Sequence, residues 1–255
     1  MKQLIYLLVI LTALGLFACA GEDNPDVDTT PPVNPTLIPH LGDWGDPPVW
    51  YDSTLVVLNE STNGLDTVPE GNWIRLTWKP FIDTDLSHIK IYRFDEVNTN
   101  PVLIDSIMSN STEYLDSKTQ LEERTIYSYF IDLVDAAGNE ARSDTVSYGL
   151  LSKCILTGPD NNASVIPGHI TFSWDVSGTV SKCRVIVMDE NYNYIWHNDW
   201  VSAFPEDPEE MVFPVNLAQQ HSGQTLRWRV DALDWSETLQ DYMGSESQER
   251  VFHIQ

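Results

Sequence analysis

Apolar and polar residues alternate in short runs over most of the chain, with little of the 3.6-residue spacing of an amphipathic helix. In Trp73-Ile74-Arg75-Leu76-Thr77-Trp78 the residues Ile74, Leu76 and Trp78 fall on one face. The run His88 to Arg93 turns Ile89 and Ile91 inward. Thr125 to Asp135 puts Tyr127, Tyr129, Ile131 and Leu133 on a single face. A period of two over such lengths predicts strands with one face in a core. Turn-forming residues separate them: Asp83-Thr84-Asp85, Asn98 to Pro101, and Ala137-Gly138-Asn139. The same order returns downstream. Ile170 to Trp174 corresponds to the Trp78 strand, Cys183 to Val187 to the Ile89 strand, and Leu226 to Ala232 to the Tyr127 strand. Trp78 and Trp174 stand 96 residues apart, the length of one small sandwich, so the repeat predicts two domains of one kind.

Those residues resemble fibronectin type III domains. In that family a Trp closes strand B, here Trp78 and Trp174, and a Tyr near the start of strand F makes a corner hydrogen bond, here Tyr127. The string from Tyr127 to Asn139 is similar to the family's strand F and its Ala-Gly-Asn turn, leading into strand G at Ala141 to Val146. The second copy resembles a divergent member, with Leu217, Gly223 and the Trp228 strand in place but Leu226 or Trp228 where the corner Tyr would stand. The resemblance implies an all-β chain of two tandem fibronectin type III or immunoglobulin-like β-sandwiches, over about residues 35–255. Fold alone does not assign a function.

The first residues read differently. After Met1-Lys2-Gln3, Leu4 to Phe17 is almost unbroken apolar sequence. Fourteen residues fall short of the roughly 20 needed to cross a bilayer and fit the h-region of a signal peptide. Leu16-Phe17-Ala18-Cys19 resembles the lipobox of bacterial lipoproteins, which implies cleavage before Cys19 and acylation of its thiol. Ordinary cleavage at Ala18-Cys19-Ala20 also fits. Each buried methylene contributes ~0.8 kcal/mol, so a multiply acylated cysteine holds a protein at a membrane. Ala20, where the family uses Asp for inner-membrane retention, implies the outer membrane, on its periplasmic face or at the cell surface. The acidic run Glu22, Asp23, Asp26 and Asp28 resembles surface-export signals. The expected organisation is 1–18 signal peptide, 19–34 lipidated Cys19 and a disordered, acidic, Pro-rich linker, 35–150 the first sandwich, and 151–255 the second.

Composition narrows the partners. With 14 basic and 38 acidic residues, the formal charge of -24 repels phosphate backbones and argues against nucleic acid. With Cys19 assigned to lipid, Cys154 and Cys183 remain, facing one core from predicted strands A and C. They form either a disulfide or a pair of buried free thiols. The six histidines have no metal-ligand spacing, and no nucleophile elbow or phosphate-binding glycine loop is present, so no cofactor, metal or enzymatic activity is expected. Asp83, Asp85, Asp135 and Asn139 carry oxygen donors at strand ends, but Asp and Asn are also good turn formers.

The aromatic surplus remains. Trp78, Trp174 and Trp228 are assigned to cores. Tyr192, Tyr194, Trp196 and Trp200 fall in a predicted hairpin, Trp235 and Tyr242 in a long F–G loop over residues 233–247, and Trp44, Trp50 and Tyr51 before the first strand B. Exposed aromatic rings stack on sugars or anchor protein partners, whereas buried ones close cores or interfaces. Trp196, Trp200, Trp235 and Tyr242 are the candidate ligand contacts. The expected function is a membrane-anchored, non-catalytic envelope lipoprotein that binds or scaffolds proteins. A glycan-binding accessory protein is the alternative, and an enzyme with an undetected site the third.

Overall fold

Branched and aromatic residues on alternate positions, punctuated by Asp, Asn and Gly, make a chain of strands that must bury one face each. The computed structural model describes residues 28–59, 65–66, 71–178, 180–203 and 209–255. Cys19 and the expected signal peptide, residues 1–18, lie outside them.

The first half contains β1 (Leu37–Ile38), β2 (Val49–Tyr51), β3 (Thr54–Val56), β4 (Leu65–Asp66), β5 (Trp73–Trp78), β6 (Leu86–Asp95), β7 (Val102–Met108), β8 (Glu113–Asp116), β9 (Ile126–Asp135), β10 (Glu140–Arg142) and β11 (Val146–Gly149). Strands β1, β4 and β8 pair with β5 in one sheet. The facing sheet runs β10-β9-β6-β7, with β11 also on β9, and β2 and β3 form a separate hairpin.

The second half contains β12 (Ile155–Gly158), β13 (Ala163–Val165), β14 (Thr171–Asp175), β15 (Lys182–Asp189), β16 (Tyr194–His197), β17 (Val201–Ser202), β18 (Glu209–Val212), helix α1 (Val215–Gln220), β19 (Thr225–Ser236), β20 (Asp241–Glu246) and β21 (Arg250–Ile254). Its sheets are β12-β14-β18 and β13-β21-β19-β15-β16, with β17 on β15 and β20 on β19. A small sheet, of four strands in the first half and three in the second, facing a larger one built on the C and F strands is the fibronectin type III or immunoglobulin-like sandwich.

The alternation in the sequence maps onto these faces. Ile74, Leu76, Trp78, Ile89, Ile91, Tyr127, Tyr129, Ile131 and Leu133 form one core cluster, and Phe172, Trp174, Val185, Val187, Trp228 and Val230 belong to the other. Strand β9 departs from simple alternation, because Phe130, Asp132 and Val134 on its outer side are buried too. Arg142 covers that side. It grips Asp132 through two bonds of 2.8 Å and lays its guanidinium 4.0 Å from the Phe130 ring centroid. Asp116, buried at the edge of the first core, accepts from Arg93 at 2.6 Å and from the Tyr129 hydroxyl at 2.8 Å.

Two expectations change here. Residues 28–34, expected in a free linker, lie against the first sandwich. Val33 N–H donates to Asp83 at 3.1 Å, Asn139 donates to the carbonyls of Asp28 and Thr30, and Pro32 is buried. Proline has no N–H to leave unsatisfied, so a Pro-rich segment can dock without forming a ladder. Residues 233–247, expected as an F–G loop, are mostly strand: Leu233 to Ser236 pair with Gly244 to Asp241. The ladder pairs Trp235 with Tyr242, and polar residues on both strands hid it from the periodicity.

The corner tyrosine is in place, with Glu122 N–H donating to the Tyr127 hydroxyl at 2.8 Å. Tyr127→Phe removes that acceptor while leaving the ring in the core. It is expected to lower stability by about 1 kcal/mol in urea unfolding. An unchanged midpoint would show that the corner bond contributes nothing.

Candidate functional site

Residues 39–58 form a strap. It starts and ends on the first sandwich but crosses to the second between. On the first, the hydroxyls of Tyr51 and Tyr148 donate to the carbonyls of Leu37 and Ile38, and Lys79 pairs with Asp52. On the second, the turn Gly42-Asp43-Trp44-Gly45-Asp46 meets β15 and β16. Trp44 lies 5.6 Å from Tyr194 between ring centroids. Gly45 has φ +96°, and a Cβ there would stand 2.6 Å from the His197 ring, so both conformation and space require glycine. Direct contacts also join the halves. Leu150 pairs with Gly244 in an isolated bridge, Ser152 Oγ donates to the Glu123 carboxylate, and Gly149 gives room to Met243.

Charged groups fill the junction. Arg184 on β15, 4% exposed, meets Asp46 at 2.8 Å and Asp43 at 3.5 Å, and donates to the Trp44 carbonyl at 3.2 Å. Its guanidinium also covers the Trp200 ring at 4.2 Å. Arg229 on β19 has no exposed surface and pairs with Asp231 at 2.7 Å and Glu246 at 2.9 Å. A guanidinium cannot shed its charge, so burial demands carboxylates.

Asp43 behaves otherwise. Burial, and then the neighbouring Asp231, push its carboxyl well above the usual carboxylate range, against the pull of Arg229 and Arg184. A hydrogen bond with Asp231 raises it further. Burial would raise Asp46 too, but the Asp43 amide, the Trp200 indole at 3.0 Å and Arg184 together hold it below the usual range.

Beside this network, between the strap and the β19–β20 hairpin, opens a cleft of ≈ 530 Å³. Trp50, Trp200, Tyr242, Lys182, Asp241 and His40 contribute to its lining. That volume lies within the roughly 300–1,000 Å³ of small-molecule sites. Lys182 Nζ donates to the Tyr242 hydroxyl at 3.4 Å and stands 5.2 Å from its ring centroid, and Trp235 meets Tyr242 edge-on at 5.3 Å. Burial lowers the His40 pKa despite Asp241 and Asp46 nearby, so its ring is neutral at physiological pH.

Of the four candidate contacts, Trp200 and Tyr242 line the cleft, and Trp235 stands behind Tyr242. Trp196 does not join them. It leans on Phe172 and Phe213, with centroids 6.5 and 5.5 Å away, and closes the second core. Trp50, His40, Asp46, Lys182 and Asp241 were not among the candidates. Trp50 stood among the surplus aromatics before the first strand B, and the paired Gly-Asp of the strap turn, set about Trp44, is a signal for Asp46. Cys154 and Cys183 are buried free thiols with their Sγ atoms 3.7 Å apart, in contact but not bonded. Of the oxygen donors at strand ends, Asp85 and Asp135 gather with Asp28, their carboxylates within 4.8 Å, while Asp83 holds Val33. Asp135 also accepts from Ala137 N–H and twice from Asn139, the bonds of a turn former.

The two strap carboxylates predict opposite pH behaviour. The raised pKa of Asp43 makes its contribution fullest below about pH 3.9 and progressively lost as pH rises toward its folded value. Asp43→Asn is expected to melt like the wild type near pH 4 and higher than it at pH 8. Asp46, with a lowered pKa, stabilises above about pH 3.9 and loses that as pH falls. Asp46→Ala is expected to cost about 2 kcal/mol at pH 7, by leaving Arg184 short of a partner. Melting curves across this pH range check both, and matching profiles for the two variants would contradict the assignment.

No family model and no curated protein matches the chain. Among solved structures, the crystal structure of chicken CNTN1 FN1–FN3 domains is similar, at 13% identity and a TM-score of 0.26, over 71% of this chain and 62% of that one. The chain thus spans less than two thirds of that structure, and the sandwich assignment rests on the strand order itself.

Proposed function

We propose that the protein is a non-catalytic binding module of the bacterial cell envelope, anchored at the outer membrane through lipid on Cys19. The observation that carries the binding half is the gathering of exposed large side chains on a braced frame. Trp50 (75% exposed) lines the cleft with Tyr242, Leu55 lies across from Trp50 in the β2–β3 hairpin, and exposed Trp235 packs edge-on against Tyr242. Large aromatic groups left in water on rigid strands suit partner contact, because little conformational entropy is lost on binding. The anchoring half is supported by the apolar run from Leu4 to Phe17 and by Leu16-Phe17-Ala18-Cys19. An extracellular surface or the periplasm also suits an acidic protein with a charge of -24.

Fractionation tests the anchor. Cys19→Ala is expected to move the protein from the membrane to the soluble fraction, and retention at the membrane would overturn the lipid attachment. The buried thiols give an independent test of export. In an oxidising compartment, Cys154 and Cys183 each lose a proton and together two electrons to a disulfide oxidant, and rotation of their side chains joins the sulfurs at about 2.05 Å. Envelope-derived protein, denatured without reductant, is then expected to resist alkylation at both positions. Full alkylation of both would contradict that oxidation.

A further inference from the structure

We propose that the cleft beneath the strap binds an uncharged polyhydroxylated ligand, a segment of neutral glycan, against Trp50, Trp200 and Tyr242. This deepens the reading of the protein as a binding module and does not depend on its anchor.

Charge selects the ligand class. The chain as a whole is strongly anionic, and taken alone that favours a cationic partner. The cleft does not share the imbalance. Asp46 is neutralised by Arg184 at 2.8 Å, leaving one cation, Lys182, and one anion, Asp241, with His40 held neutral by burial. A cationic peptide would meet Lys182, and an acidic ligand would meet Asp241. A neutral polar ligand meets neither repulsion.

The lining supplies what sugar recognition uses. Sugar rings present apolar C–H faces and a rim of hydroxyls. The faces pack on aromatic rings and the hydroxyls bond to fixed donors and acceptors. Three aromatic side chains from three separate segments line the site: Trp50 on β2, Trp200 just before β17, and Tyr242 on β20. Lys182 Nζ and the Tyr242 hydroxyl offer donors, and the Asp241 carboxylate an acceptor. Trp200 is immobilised before any ligand arrives, by its indole bond to Asp46 at 3.0 Å and by Arg184 at 4.2 Å from its ring. Tyr242 is likewise held by Trp235 and Lys182. Preorganised rings reduce the ordering cost that makes weak polar ligands hard to bind.

The test titrates the full chain, kept in detergent micelles, with neutral linear oligosaccharides of glucose, mannose and xylose, following tryptophan fluorescence and calorimetry. Oligogalacturonate and oligolysine serve as the anionic and cationic arms. Saturable binding by at least one neutral oligosaccharide, tighter than either charged arm, is expected. Trp50→Ala and Tyr242→Ala should each weaken it about tenfold, about 1.4 kcal/mol. Trp50 is exposed, so its replacement should leave the melting temperature unchanged and separate lost binding from lost fold. Trp196→Phe, outside the cleft, should bind as the wild type does. The proposal is overturned if no neutral oligosaccharide saturates, if oligolysine or oligogalacturonate binds more tightly, or if Trp50→Ala and Tyr242→Ala leave affinity intact. Membrane release of Cys19→Ala reads the anchor separately, so either reading can fail without the other.

Discussion

A buried guanidinium is the constraint around which the two sandwiches are joined. Arg184 sits in the central sheet of the second sandwich with almost no contact with water, and it cannot become neutral. The carboxyl groups it meets, Asp43 and Asp46, arrive from a strap more than a hundred residues earlier in the chain. A buried ion pair contributes little net stability against an apolar alternative, but removing one partner leaves a charge stranded. The network therefore acts chiefly on geometry: the strap has one place to lie, and the cleft beside it has defined walls.

The same junction explains why protons matter there. Asp43, Asp46, Asp231 and Glu246 surround two arginines, Arg184 and Arg229. Four ionised carboxylates would leave excess negative charge in a dry environment. Burial, and then the neighbouring Asp231, raise the Asp43 carboxyl, which favours its protonated form and a hydrogen bond between the two acids. Asp46 sits closer to water and keeps its charge, so its neighbours are N–H groups from Asp43, Trp200 and Arg184. Two carboxyls three residues apart thus shift in opposite directions because their surroundings differ.

Much of the fold was legible because strands with one buried face repeat every second residue. Ile74, Leu76 and Trp78, and Ile89 and Ile91, were assigned to the core by that rule and are fully or nearly fully buried. Tyr127 was legible from its place in a family pattern, and its corner bond is present. Trp196 misled because an aromatic residue in a polar hairpin looks exposed, whereas it packs on Phe172 and Phe213 at the second core. The β19–β20 ladder was obscured by Asp, Ser and Gly residues on strands that carry the junction as well as the core. The cleft was only half legible. Trp200 and Tyr242 stood out as surplus aromatics, but His40, Lys182 and Asp241 carry no local signature.

The sequence by itself determined the alternation, hence the strands, the repeat of the sandwich and the residues of each core, since these depend on neighbours two apart along the chain. It also displayed Cys19 directly after an apolar run. Only the tertiary structure decided where the strap crosses, which arginine its carboxylates meet, and that Trp50, Trp200 and Tyr242 share one cleft. Those outcomes depend on contacts between residues far apart in sequence, where no period operates. The buried charge of Arg184 selects among the possible meetings by making all but one of them costly.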